Sequence, residues 1–257
     1  DSKSGRTWLR VMISRLYQQI YGLPADTVIE FDNFHHMDRR IPKLFFTHDT
    51  HIREFTGHLD SKVDYYDKKV LLLVRDPRDV VVSKFFHSRY RSKPWKGLKS
   101  TTAVEKSNDD LFDFVLHSPG GLPMAIDFIN KWMAEIVNAR AHDVIQYENL
   151  RADPHATLAR ITRFLTIPAS DKHIAEAVEY ASYDNMKNME SNQSFRSAGA
   201  RITPRDASNP DSYKVRRAKV GGYRDYFTDA QIEEIDAFVA NRLNPILRHN
   251  GPEQDAQ

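Results

Sequence analysis

The chain has 257 residues, and its 37 basic and 35 acidic side chains give a formal net charge of +2. This balance argues against attraction of the whole molecule to nucleic acid, and the lack of cysteine excludes disulfides, thiolate metal sites and a cysteine nucleophile. No apolar run reaches the roughly 18 residues that a membrane span needs. We expect a single domain over residues 1–257, and the cysteine-free composition fits a reducing, cytoplasmic compartment.

The first half of the chain predicts a helix and two strands. Apolar residues recur at helical spacing over residues 7–21, and Gly22 follows them. The short apolar run 43–47 predicts a strand that ends at His48. The run KVLLLV, residues 69–74, predicts a buried strand.

The rest of the chain alternates helices with strands. After the strand 69–74, Asp76 and Pro77 predict the start of a helix. Further helices are predicted over residues 124–139, 154–165 and 232–243, and a strand over residues 144–147. This alternation predicts an α/β fold with a parallel sheet flanked by helices on both faces. The polar segments 88–110 and 191–213 predict long loops that act as lids or are disordered.

The segment KSGRTW, residues 3–8, leads into the first helix. Backbone N–H groups at a helix N-terminus bind phosphate, Gly5 allows close approach of the backbone, and Lys3 adds a positive charge. The pattern GxxxxGK[ST] of nucleoside-triphosphate loops is absent. Taken alone, this segment also fits an ordinary helix start.

Two further segments contain groups that bind phosphate. Arg75 follows the buried strand and offers a planar fork of donors, while Ser83 lies two helical turns into the next helix. A basic pair, Arg216 and Arg217, precedes two glycines near the C-terminal end of the sequence.

The three segments together resemble the sulfotransferases that use 3′-phosphoadenosine 5′-phosphosulfate (PAPS). Residues 3–8 are similar to the family's 5′-phosphosulfate loop PKSGTTW, and residues 75–83 (RDPRDVVVS) to its 3′-phosphate element. Residues 216–228 (RRAKVGGYRDYFT) are similar to its segment RKGxxGxWKxxFT. Shorter matches lie in the family's order between them, at TH (47–48), YEN (147–149) and SYDNMK (182–187). The resemblance therefore extends over nearly the whole chain.

The resemblance implies a role for each matching residue. His48 is the general base that removes the acceptor proton, Lys3 stabilises charge on the leaving 5′-phosphate, and Ser83 holds Lys3 until the acceptor arrives. Trp8 stacks on the adenine, although a core position explains this tryptophan equally well. The residues implied to bind the donor are Lys3, Ser4, Gly5, Arg6, Thr7, Trp8, Arg75, Ser83, Tyr147, Ser182, Tyr183, Met186, Arg216, Arg217 and Ala218.

The resemblance also implies a three-layer, P-loop-like fold whose first strand would precede Lys3. It implies PAPS as donor, PAP as product and no metal. The acceptor is a hydroxyl or amine of a small molecule or carbohydrate, nucleic acid is not a partner, and homodimerisation stays open.

The sequence departs from the family pattern at several positions. Phe46 replaces the lysine that precedes Thr-His, which removes one positive charge, while Ser2, Ala218 and Tyr223 replace a proline, a glycine and a tryptophan. Two other functions remain as alternatives: a P-loop phosphotransferase, or a PAP(S)-binding protein without transfer activity. A metal site at residues 48–51 is disfavoured because zinc sites require three or four ligands.

Overall fold

The computed structural model describes residues 3–90, 110–192 and 219–247, and the structural statements below concern those residues. They contain the strands β1 (Lys69–Val74) and β2 (Ala141–Gln146). The helices are α1 (Arg6–Tyr21), α2 (Asn33–Met37), α3 (Thr50–Thr56), α4 (Pro77–Tyr90), α5 (Leu111–His117), α6 (Leu122–Glu135), α7 (Tyr147–Ala152), α8 (Pro154–Leu165), α9 (Asp171–Tyr180), α10 (Tyr183–Ser191) and α11 (Asp229–Arg242). Single 3₁₀ turns occur at Val63–Tyr65, Ile136–Asn138, Gly222–Tyr226 and Pro245–Leu247. None of the helices in these ranges is both long and apolar enough to cross a membrane.

The two strands pair in parallel. Lys69 lies opposite Ala141, and the register continues to Val74 opposite Gln146. Parallel strands have their carboxyl ends at the same edge of the sheet, which is where α/β proteins bind ligands. The segments that begin at Arg75 and Tyr147 therefore leave the sheet side by side.

The side chains of β1 alternate between two hydrophobic cores. Val70, Leu72 and Val74 belong to the core formed with α4, α5, α6 and α11. Leu71 and Leu73 pack against the core formed with α1, α8 and α9. Helices therefore cover both faces of the sheet, which confirms the predicted α/β layering.

The predicted strand 43–47 is wrong for the described structure. Residues 42–48 form no helix or strand in the described structure. Burial alternates along this apolar run, because Leu44 and Phe46 pack against the core of α1 while Phe45 is exposed. A segment can bury alternate side chains without hydrogen-bonding to a neighbouring strand.

The long polar segments begin later than predicted. Helix α4 continues through Ser88 to Tyr90, whose ring stacks on Phe86 at a centroid distance of 6.2 Å. Helix α10 likewise includes Ser191. Most of the predicted lids lies outside the described residues.

Candidate active site

The loop before α1 has a left-handed backbone. Lys3 has φ +71°, and Gly5, at the N-terminus of α1, has φ +88°. A Cβ atom on residue 5 would lie 2.5 Å from Cδ2 of Tyr147, so the ring of Tyr147 occupies the space that a side chain would need. Glycine is therefore required here both for its backbone conformation and for its lack of a side chain.

Arg75 joins three distant parts of the chain at the carboxyl edge of the sheet. Its Nη1 donates to the carbonyl of Lys3 at 3.3 Å, and its Nη2 donates to the carbonyl of Lys219 at 3.0 Å. Nη2 also donates to Oδ2 of Asp79 at 3.1 Å. The guanidinium carbon lies 4.4 Å from the ring centroid of Tyr147. Arg75 therefore connects the end of β1 with the predicted phosphate loop and with the segment that begins at Lys219.

Asp79 of α4 binds the backbone of the segment that begins at Lys219. Its buried carboxylate accepts hydrogen bonds from the backbone N–H groups of Gly221 and Tyr223, both at 3.0 Å. Burial raises the pKa of Asp79, and the nearby Arg75 opposes this rise. The predicted donor residues Arg216, Arg217 and Ala218 lie outside the described residues, immediately before this segment.

Trp8 links the loop to the start of α10. Its Nε1 donates to the carbonyl of Ala181 at 2.7 Å. Its ring meets that of Tyr147 edge to face, with 6.0 Å between the centroids, and the guanidinium of Arg151 lies 5.3 Å from its centroid. Burial raises the pKa of Tyr147. Trp8 thus packs within the protein while lying beside the loop and Tyr147.

The predicted donor residues of α10 have clear structural roles. Ser182 caps the helix, accepting from the N–H of Asn185 at 3.4 Å, and Met186 is buried in the core. Tyr183 is half-buried, with Nζ of Lys187 5.9 Å from its ring centroid. Contact with an adenine stays a prediction for all three residues.

His48 is half-buried and lies at the end of segment 42–48, just before α3. Two arginines of α1 tie this segment to the loop region. Nη1 of Arg6 donates to the carbonyl of Phe46 at 3.3 Å, and the guanidinium carbon of Arg10 lies 4.9 Å from the ring centroid of Phe46. No motif in the sequence singles out Arg10. Arg10 lies four residues after Arg6 and therefore on the same face of α1. This spacing is the sequence feature that could have identified it.

The remaining predicted residues lie on the helices that border this edge. Thr7 is in the first turn of α1, and Ser83 is partly buried near the middle of α4. Beside Ser83, burial lowers the pKa of Lys84 to about 8.

The loop has polar atoms suited to an anionic ligand. Oγ of Ser4 and Nε of Arg75 are buried, and neither has a hydrogen-bond partner within the described ranges. Both are donors, and they lie in the loop and at the strand end that converge on this edge. A phosphate group supplies the acceptor oxygens that such donors require, so these residues fit a phosphorylated nucleotide.

Comparison with known proteins gives relatives over nearly the whole chain. A flavonol 4′-sulfotransferase of Flaveria chlorifolia is 23% identical over 260 residues, covering 94% of this chain and 77% of the relative. Sulfotransferase 2A1 of Homo sapiens is 23% identical, covering 97% of this chain and 84% of the relative.

Two solved structures share the fold. The mouse sulfotransferase SULT7A1, complexed with PAP, matches with a TM-score of 0.58 and 22% identity, covering 95% of this chain and 82% of that one. Retinol dehydratase in a complex with retinol and PAP matches with a TM-score of 0.52 and 22% identity, covering 72% of this chain and 50% of that one.

The family model described as the sulfotransferase domain matches residues 2–246. This match confirms the predicted family and, with it, the prediction of an enzyme that transfers sulfuryl groups. The chain belongs to the sulfotransferase domain family.

Proposed function

We propose that this chain transfers the sulfuryl group of PAPS to a hydroxyl or amine of a small-molecule or carbohydrate acceptor. The observation that carries the proposal is the convergence of the Lys3 loop, the end of β1 and the Lys219 segment on Arg75. The PAP bound by mouse SULT7A1 and by retinol dehydratase supports the choice of donor.

Arg75 and the loop would hold the phosphates of the donor. Nε of Arg75 is a buried donor without a hydrogen-bond partner within the described residues, which favours Arg75 for the 3′-phosphate. The N-terminus of α1, with Lys3, Ser4 and Gly5 before or at its start, suits the 5′-phosphosulfate because helix N-termini attract anions. Together, these groups would recognise a nucleotide that carries phosphates at the 3′ and 5′ positions of its ribose.

His48, Lys3 and Ser83 would act on the reacting groups. PAPS supplies an activated sulfuryl group, and in-line displacement of this kind depends mainly on positioning and charge stabilisation. His48 removes the proton from the acceptor, a contribution of about 10²–10⁴ in rate for a well-placed general base. Lys3 stabilises negative charge on the leaving oxygen, and Ser83 restrains Lys3 before the acceptor binds.

The acceptor is the least determined part of the proposal. The flavonol sulfotransferase among the relatives supports a small hydroxylated acceptor. The Arabidopsis thaliana relative named cytosolic sulfotransferase 13 supports a cytoplasmic location. The absence of a metal, the single domain over residues 1–257 and a homodimer stay predictions.

Calorimetric titration with PAP tests the donor site. We expect micromolar binding to the wild type, a weak response to ATP, and loss of PAP binding in Arg75→Ala. The control is Arg160→Ala, which removes an arginine of α8 that pairs with Asp143 of β2 and should leave PAP binding unchanged. A folded wild-type chain that binds ATP but not PAP would instead favour the P-loop phosphotransferase.

A nucleotide-binding protein without transfer activity is the second candidate, favoured by Phe46 at the position of the family lysine. Binding of PAP does not distinguish it from the enzyme, so the test is formation of product. Radiolabelled PAPS is incubated with a panel of phenols, alcohols and saccharides. Transfer of label to any acceptor, lost in His48→Ala, supports the enzyme, whereas PAP binding with no transfer across the panel supports the binding protein.

A further inference from the structure

The residue after His48 has a strained backbone and a buried side chain. Asp49 has φ +72°, and only 1% of its surface is exposed. An L-residue in the left-handed region is disfavoured by about 1–2 kcal/mol, and it persists only where the surroundings enforce it. Asp49 occupies the N-cap position of α3, but its side chain makes no capping hydrogen bond. The carboxylate points into the protein instead.

Several groups hold this carboxylate. Its Oδ2 lies 3.0 Å from Nζ of Lys62, and both side chains are 2% exposed. Tyr65 donates its hydroxyl hydrogen to Oδ1 at 2.9 Å, and Nε of Arg53 lies 3.4 Å from Oδ2. The backbone N–H of Asp49 donates to Oγ1 of Thr47 at 2.9 Å, which closes the turn around His48. His48 therefore lies between two residues that hydrogen-bond to each other.

The groups that hold Asp49 are themselves anchored to α6. The N–H of Lys62 donates to Oε2 of Glu135 at 2.7 Å. The ring centroid of Tyr65 lies 4.9 Å from that of Trp132, and Nζ of Lys62 lies 5.4 Å from the same tryptophan ring. Helix α6 packs against α4, which carries Ser83. A continuous set of contacts thus leads from α4 and α6 to the backbone beside His48.

A buried ion pair is weak evidence for stability, because the desolvation of both charges offsets their attraction. The pair of Asp49 and Lys62 is better explained by the geometry that it imposes. It draws the carboxylate inward and keeps residue 49 in a conformation that an unrestrained aspartate avoids. His48 is joined directly to residue 49, so this conformation restrains the backbone on the carboxyl side of His48.

We propose that Asp49 is a positioning residue for the transfer reaction: its buried pair with Lys62 fixes the backbone after His48 and so aligns the imidazole with the acceptor. This inference rests on the role proposed for His48. It predicts that loss of the pair slows the transfer step without weakening donor binding.

The first test is the double variant Asp49→Asn/Lys62→Met in the full chain. It removes both charges together, because removing only one would leave the other buried and unpaired. Initial rates are measured with PAPS and 2-naphthol, and PAP binding by calorimetry. We expect kcat to fall by about tenfold to a hundredfold, the effect of a displacement on the order of 1 Å in a reacting group, while the Kd for PAP stays unchanged. An unchanged kcat in the folded variant would overturn the proposal.

The control is Asp143→Asn/Arg160→Met, which removes an ion pair between β2 and α8. Its kcat and its Kd for PAP should equal those of the wild type. An equal fall of kcat in both double variants would mean that any loss of an ion pair slows the enzyme, and this would also contradict the proposal.

The second test repeats the substitution in a His48→Ala background. If Asp49 acts through His48, the Asp49→Asn/Lys62→Met change has no further effect on kcat once the imidazole is gone. A loss of the same factor in both backgrounds would show a general structural role and overturn the inference. If His48→Ala alone leaves kcat unchanged, the role proposed for His48 fails, which is a different result.

A third measurement does not depend on turnover. The ring signals of His48 are assigned in a ¹H–¹³C spectrum by their absence from His48→Ala, and then compared between wild type and Asp49→Asn/Lys62→Met. The proposal expects a changed or broadened His48 signal, with the other histidine signals unaltered. Coincident His48 signals in the two proteins would contradict it.

Discussion

The guanidinium carbon of Arg10 lies over the face of Phe46, 4.9 Å from the ring centroid. Arg10 is buried and also pairs with Glu30 at 3.6 Å. Phe46 stands where the sulfotransferase pattern has lysine, so a cation from α1 already occupies the space next to that position. The aromatic ring is compatible with this cation, because the face of an aromatic ring attracts positive charge.

Phe46→Lys should therefore destabilise the protein. The introduced ammonium group would lie close to Arg10 in a partly buried position, and we expect a loss of about 1–3 kcal/mol in unfolding free energy. Phe46→Met, which keeps an apolar side chain of similar size, should lose less. In Phe46→Lys/Arg10→Met the repulsion is removed and part of the loss should be recovered. Urea denaturation measures the unfolding free energy of all three variants. A Phe46→Lys protein as stable as the wild type would contradict the prediction.

Gly5→Ala should lower both stability and PAP affinity. Residue 5 has φ +88°, and the new Cβ would lie 2.5 Å from the ring of Tyr147. Gly57→Ala is the matched control, since Gly57 has φ +81° but nothing lies within 4 Å of its added Cβ. Both variants bear backbone strain of about 1–2 kcal/mol, and Gly5→Ala bears overpacking of about 1–3 kcal/mol in addition. Urea denaturation measures the stability of the two variants, and titration measures their affinity for PAP. Equal stability and equal affinity in both would show that the contact with Tyr147 is unimportant.

Lys84→Met should stabilise the protein at neutral pH. Burial lowers the pKa of Lys84 to about 8 from its ordinary value of 10.5. Between these values the unfolded chain binds more protons than the folded one, so stability rises with pH there, and the penalty is fully present below pH 8. Removing the ammonium group should add about 1–3 kcal/mol at pH 7 and flatten this rise.

Urea denaturation from pH 7 to pH 10 measures that change. Lys172→Met, at an exposed lysine of α9, is the control and should leave the profile as in the wild type. A Lys84→Met protein that is less stable than the wild type at pH 7 would contradict the prediction.

The sequence predicted those features of the fold that depend on local pattern. The strand Lys69–Val74 and the helix Pro154–Leu165 have the predicted bounds. The edge location of Arg75 also followed from its place directly after a buried strand. Residues 43–47 were predicted wrongly, because a short apolar run indicates burial and does not show whether a neighbouring strand is present.

The residues that organise the site could not be found in this way. In the sequence, Asp79 is an acidic residue in the first turn of a helix, a common feature that complements the helix dipole. Its bonds to Gly221 and Tyr223 span 142 and 144 residues. Asp49 adjoins His48, but its burial depends on Lys62, which is supplied by another segment. No local pattern encodes such pairings.

The contacts of Arg75 have a consequence for the order of folding. Its bonds to Lys3 and Lys219 close loops of 72 and 144 residues. Contacts of such sequence separation form slowly, because the entropy of loop closure must be overcome before they contribute. The sheet edge should therefore be completed late, after the two hydrophobic cores have formed. A nucleotide that binds at this edge would then leave the rates of the early folding steps unchanged. It would stabilise chains that have already folded.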